Sequence, residues 1–541
     1  MKRLVIIVIL LCGSASATAR YVATSAGTFT GGTACNGQTA ITPATWNGIT
    51  NAGDDVIYIC GTLTGTSGAT MFTPLGNGSS GHPITLKWDT SAIVQAPYWS
   101  TTNGAINMTG LSWWVLDGQG TTLDPRTIPT SHGASISGDG PNGIIQCTAN
   151  GTSLANQQES LMIVVTNSSH LIIQNLWFKD NYVRVALTSG TAGFNSTIIN
   201  GTNATDLTVT HNWATNARTL VGDAFTTTGQ NATWSYNYTF AVEVPFALAT
   251  VSSNATWTTL LTHHNHLAGG VDQWDDPGNG FHHDGCCHMF AQATGAHING
   301  WQNYDNLTDG VWGNDLAYFN SSGGTHITAY IYPEETGGDF SDFNNVYDTS
   351  AGTPKLQSAD NGSIFCKANS SPGMSCAIYN DTFIGQAANT VYNIDIETDA
   401  TASVLTAKNN IHVNQGGPYY LGGGADTTIT STNNDFFGVG AGNWNTNTFA
   451  TWQSHGQDPS PSVNGSDPKL NSNYTLQSGS SAIGIGANLT SLGIAALNVD
   501  AAGNTRPTSA AWDAGAFQFL TITPSGMTGS TIIRGNVIVK P

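Results

Sequence analysis

Two Asp-Gly steps, Asp284-Gly285 and Asp309-Gly310, lie 25 residues apart, and histidines crowd around them. Two carboxylates at short range do not easily both ionise. One can then be kept protonated as an acid while the other serves as base or nucleophile. Eight of the 14 histidines fall between residues 263 and 326, and His283 adjoins Asp284. Trp274, Trp301 and Trp312 offer flat apolar rings to a substrate. The expected set is Asp284, Asp309 and His283 for catalysis, with Trp274, Trp301, Trp312, His264 and His326 touching substrate.

The same stretch offers metal ligands. Asp272, Asp275, Asp276 and Asn279 place hard oxygens in a Gly-containing loop, which suits calcium. The alternating spacing of an EF-hand and its distal Glu are missing. Zinc fits the run His282-His283-Asp284-Gly285-Cys286-Cys287-His288 by residue type only, because the ends of such a strand lie about 20 Å apart. The carboxylate pair itself requires no cofactor. Between residues 219 and 354 there is no Lys or Arg, while 14 of the 34 acids lie there. Elimination on a uronic-acid polymer needs a cation to neutralise the substrate carboxylate, and Arg184 and Arg218 are the nearest on the preceding stretch.

A repeated element must position these residues. Asn175, Asn212, Asn237, Asn265, Asn303, Asn345, Asn380, Asn410 and Asn434 each close a short β-prone run and precede an apolar or aromatic residue. Their steps run from 24 to 42 residues. A local pattern at that period marks a stacked solenoid. Stacked about 4.8 Å apart, each carboxamide can accept from one neighbour and donate to the next. The expectation is an all-β fold: a single-stranded, right-handed parallel β-helix with an asparagine ladder. One lean rung separates Asp284 from Asp309. The steps on either side of Asn303 are over-long, so loops at 268–281 and 331–341 are expected to leave one side and wall a cleft.

Lys2 and Arg3, the apolar run Leu4 to Leu11 and the small residues Ala17-Thr18-Ala19 read as a secretory signal. The chain is therefore expected outside the cell or on its surface. No segment is long and apolar enough to cross a bilayer. A net charge of −19 excludes nucleic acid as a partner. Cys35 with Cys60 and Cys366 with Cys376 are the simplest disulfides in an odd set of seven after the signal. Residues 1–19 are expected as signal, 20–104 as lead-in, 105–440 as helix rungs, 441–519 as a closing segment and 520–541 as a tail.

Two stretches carry a resemblance. "DDVIYICGTLTG" with "GSSGHPITLKWD" is similar to the opening rungs of the pectate-lyase-like, right-handed parallel β-helix superfamily. "DPKLNSNYTLQSGSSAIGIGAN" with "DAAGNTRPTSAAWDAGAFQF" resembles the closing segment of many bacterial β-helix proteins. The resemblance spans about residues 53–519 and implies the fold more than the chemistry. His283-Asp284-Gly285 resembles part of the aspartate element of polygalacturonase-like hydrolases, and Gly324-Thr325-His326 faintly their histidine element. Their Arg-x-Lys element is missing. The expected function is polysaccharide binding with cleavage by hydrolysis. The alternatives are a calcium-assisted lyase or epimerase with a histidine base, and a non-catalytic adhesin or surface solenoid.

Overall fold

The structure is a computed structural model. It describes residues 17–520 except for internal segments at 121–122, 129–139, 150–157, 183–195, 227–229, 251, 270–286, 292–295, 310–330, 336–337, 349, 351–361, 369–374, 386–391, 399–402, 415–416, 423–427, 441–443 and 445–446. The strands alternate apolar and polar residues, as in Ile84–Trp88 (ITLKW), where every second side chain is buried. A period of two with one buried face calls for a layer stacked on further layers.

Each turn of the chain visits three sheets in order. One rung runs Thr205–Thr210, Trp213–Ala217 and Thr219–Phe225; the next runs Gln230–Ser235, Tyr238–Val242 and Phe246–Thr250. Corresponding strands pair in parallel, so the described residues form long sheets of 14, 13 and 10 strands, here the first, second and third sheets. This is a parallel β-solenoid. Register carries one interior column along the first sheet: Leu207, Ala232, Leu260, Trp301, Phe340, Cys376 and Leu405. The strands at 56–59 and 84–88 already belong to this sheet, so the lead-in is built of rungs.

The corner between the first and second sheets is tight. His211, Tyr236, His264, Asp305, Asn344, Asn380, Asn409 and Asn433 occupy it in left-handed backbone, with φ between 54° and 62°. The residue after each turns inward and forms a column. Asn212 donates from its backbone and its carboxamide to Asn237 Oδ1, at 3.1 and 3.2 Å. The same double bond joins Asn237 to Asn265, Asn265 to Asn306, and Asn306 to Asn345. Backbone donation continues it through Asp381, Asn410 and Asn434. Three expected members are displaced. Asn175 and Asn380 are left-handed corner residues, one position early, with Leu176 and Asp381 at the inward place. Asn303 lies three residues early, inside the strand Trp301–Tyr304, and donates to Asp342 Oδ1 at 2.6 Å.

The helix Phe449–Ser454 covers the last rung, its Trp452 stacked on Tyr419. The chain then runs back along the tight corner. Asn433, Asn409, Asn380 and Asn344 donate to the carbonyls of Ile485, Ala487, Asp513 and Val499. Arg506, fully buried, donates to Asn344 Oδ1 at 2.8 Å and lies over the Trp512 ring. Disulfides join Cys35 to Cys60 and Cys366 to Cys376, as expected from sequence. Cys147 is a buried free thiol. Among the described residues no helix is long and apolar enough to cross a membrane.

Candidate functional site

The histidines nearest the tight corner are held in stacked rings. His211 stacks on Tyr236 at 4.8 Å and His263 on Tyr304 at 4.7 Å, and His264 packs tilted by 31° against Tyr236 at 4.6 Å. Tyr304 in turn stacks on Phe343. Burial pushes His263 down to about 4 and His264 down to about 3, and the nearby Arg126 guanidinium adds to both. Both rings are therefore neutral near pH 7.

Arg126 comes from the turn Pro125–Thr127 and sits between two carboxyl groups. Burial would raise Asp124, but paired bonds from Arg126, at 2.7 and 3.0 Å, hold it below the usual range. Asp305 is almost fully buried, and burial raises it to about 8 against the pull of Arg126. Arg126 also donates to the carbonyls of Asp305 and Ala501. It thus ties the early turn, the corner and the returning segment together.

Two expected site residues are buried. Trp301 was expected to present a ring to substrate. It is fully buried in the interior column, donates to Thr262 Oγ1 and packs on Phe340, so no ring face is open. Asp309 is expected from the sequence to form a catalytic carboxyl pair with Asp284. Its Oδ1 lies 2.8 Å from Nε2 of His266, whose Nδ1 lies 3.0 Å from the Pro125 carbonyl. His266 is fully buried and Asp309 only 8% exposed, beneath the turn that carries Arg126. That pair fastens the turn to the second sheet. His264 is partly accessible, at 22% of its side chain, with its ring engaged by Tyr236.

Asp272, Trp274, Asp275, Asp276, Asn279, His283, Asp284, Trp312 and His326 lie outside the described residues. The separation of Asp284 from Asp309 and the calcium ligands therefore have no geometry here. Among the described residues no group of three or more His, Cys, Asp or Glu converges in a way that would hold a metal.

The extra residues of the long rungs fall in one connection, between the second and third sheets. Residues 269–286 join the second-sheet strand His266–Ala268 to the third-sheet strand Cys287–Ala291. Residues 310–330 make the same connection one rung later, between Leu307–Asp309 and Ile331–Glu335. Two lean rungs cross here in a few residues, at Arg218 and at 243–245. Glu334 and Glu335, expected in an outgoing loop, belong to a third-sheet strand; the surplus precedes them.

The strands that follow these connections belong to the third sheet. Glu334 is in register with Lys367, and Lys367 with Glu397. Ile364, Cys366 and Ile394 are buried in the core. The three charged positions alternate with these along their strands. Neighbouring rungs lie about 4.8 Å apart, which puts the two glutamate backbones about 10 Å apart with the lysine between. Sequence reasoning missed this trio because residues 334, 367 and 397 carry no common motif; only the register brings them together. No known protein family matches this chain, and no curated protein matches it in sequence.

Proposed function

We propose that this chain is a secreted, right-handed parallel β-helix of the pectate-lyase-like type that binds and cleaves a polysaccharide. In this reading the column of amides is its asparagine ladder. One observation carries the functional part: the Glu334–Lys367–Glu397 register column stands on the sheet that the insertions 269–286 and 310–330 enter. Extra residues in a solenoid commonly leave on its binding face.

Hydrolysis is the favoured reaction. Two glutamates two rungs apart suit an acid and a base on opposite sides of a glycosidic bond with a water between them. Asp284 and His283 remain candidates from the first insertion, while Asp309, engaged by His266, is not among them. The second reading, elimination on a uronic polymer, is favoured by the same Lys367, since it supplies the cation that residues 219–354 lack.

The test is a screen on neutral and uronic polysaccharides, following reducing ends and the absorbance of unsaturated products separately. Reducing ends alone support hydrolysis, and both signals support elimination. Neither signal on any polymer would overturn cleavage and leave a non-catalytic surface solenoid.

A further inference from the structure

A second feature lies on a different sheet and nearer the N-terminus. A groove of ≈ 360 Å³ follows the outer face of the first sheet across successive rungs. Its floor is Val115, Ile172 and Thr208, outward positions between the interior residues Trp114, Leu171 and Leu207. Its wall is Trp113, His170 and Asp206. The indole of Trp113 and the imidazole of His170 stack at 4.0 Å and 19°, and His170 Nδ1 lies 2.8 Å from Asp206 Oδ2.

The backbone under this wall is unusual. Trp113, His170 and Asp206 have φ of 59°, 53° and 50°. These residues sit near strand starts, away from the tight corner where left-handed residues are routine in this fold. A bulky side chain in that region is an outlier. Such strain persists where the surroundings over-determine it, and it clusters at ligand sites. Pairing on either side of the bend is intact, from Ser112 with Ser169 to Trp114 with Leu171, so the distortion is confined to the wall.

We propose that this groove binds a neutral oligosaccharide chain running along the solenoid axis. The floor and the aromatic wall suit the apolar faces of sugar rings. Asp206, with its side chain 37% exposed, and the Thr208 hydroxyl suit sugar hydroxyls. The lining contains no Lys or Arg, so nothing in the groove would compensate a uronate carboxylate. The inference goes beyond the cleavage reading and does not depend on it, because the groove shares no residue with the Glu334–Lys367–Glu397 column.

The experiment is calorimetric titration of the full chain with neutral gluco-, manno-, xylo- and galacto-oligosaccharides, and with an oligouronate as contrast. The wild type should bind at least one neutral series and not the uronate at the same site. Trp113→Ala and Asp206→Ala should each weaken that binding about tenfold or more. Glu334→Gln should leave it unchanged while abolishing any cleavage, which separates failure of one proposal from failure of the other. If Trp113→Ala does not fold, Thr208→Trp fills the groove from its floor and should block binding. Absence of neutral-sugar binding by the wild type, or full binding by Thr208→Trp, would overturn the proposal.

Discussion

The two ends of the second sheet are built on opposite terms. At its entry the chain turns in a residue or two, and the inward amides bond from one rung to the next. Asn212, Asn237 and Asn265 are fully buried, and each bonds both its successor and a backbone carbonyl of the preceding strand. At its exit the connection varies from a single residue, Arg218, to the stretch 310–330. A corner closed by side-chain amides tolerates no insertion, because an added residue would break contacts in two neighbouring rungs. A corner without that constraint accepts insertions, and those are the material from which a binding face is made.

The largest expected effects fall on the permissive side. On any polysaccharide that the wild type cleaves, Glu334→Gln or Glu397→Gln should lower kcat about 100-fold or more, the scale of losing a general acid or base. The melting temperature should barely move, since neither change touches the amide corner. A large stability loss with activity retained would reassign the trio to the architecture.

On the strict side, Asn237→Ala should destabilise the fold by roughly 1–3 kcal/mol, by taking the acceptor from the buried Asn212 backbone N–H and removing the Asn237 bond to the Val209 carbonyl. Denaturant unfolding of the purified variant measures this. A near-neutral result would remove the amide column from the forces holding the corner.

Two smaller effects read out pH. Burial raises the Asp305 carboxyl to about 8, so its contribution to stability is complete below its ordinary value of 3.8 and is lost as pH climbs through about 8. Asp305→Asn should therefore flatten the fall in Tm between pH 5 and pH 9. His412 shifts the other way, down to about 3, through burial in a ring stack with Phe383 and Phe436. Its contribution is complete above pH 6.5 and is lost as pH falls toward 3. His412→Phe should shrink the loss of Tm between pH 7 and pH 4, by a few degrees at most. Parallel pH profiles of both variants and the wild type check the two signs.

The solenoid was legible because its strictest corner leaves a mark in every rung. Asn345, Asn410 and Asn434 were placed correctly since each follows another Asn that takes the left-handed position. The misplacements share a cause. At Asn380-Asp381 the inward residue is an aspartate, whose carboxylate accepts a neighbour's N–H as a carboxamide does. At Asn303 the strand runs on to Asp305-Asn306, a polar pair resembling His264-Asn265 that could have been recognised. The histidine cluster misled for the same reason. His263, His264 and His266 are dense because three rings serve stacking and a turn anchor in adjacent columns. The Glu334–Lys367–Glu397 trio was invisible because its members become neighbours only once insertions of unequal length have been subtracted.

The segment that returns along the tight corner changes how the molecule should come apart. A bare solenoid loses rungs one at a time from its ends, since each touches only the next. Here Asn344, Asn380, Asn409 and Asn433, from four successive rungs, are all fastened to residues 485–513. None of those rungs can fray without releasing the strap, and releasing the strap exposes all of them. The C-terminal half should therefore melt as one cooperative block, while the rungs before the strap keep the gradual behaviour of a repeat array.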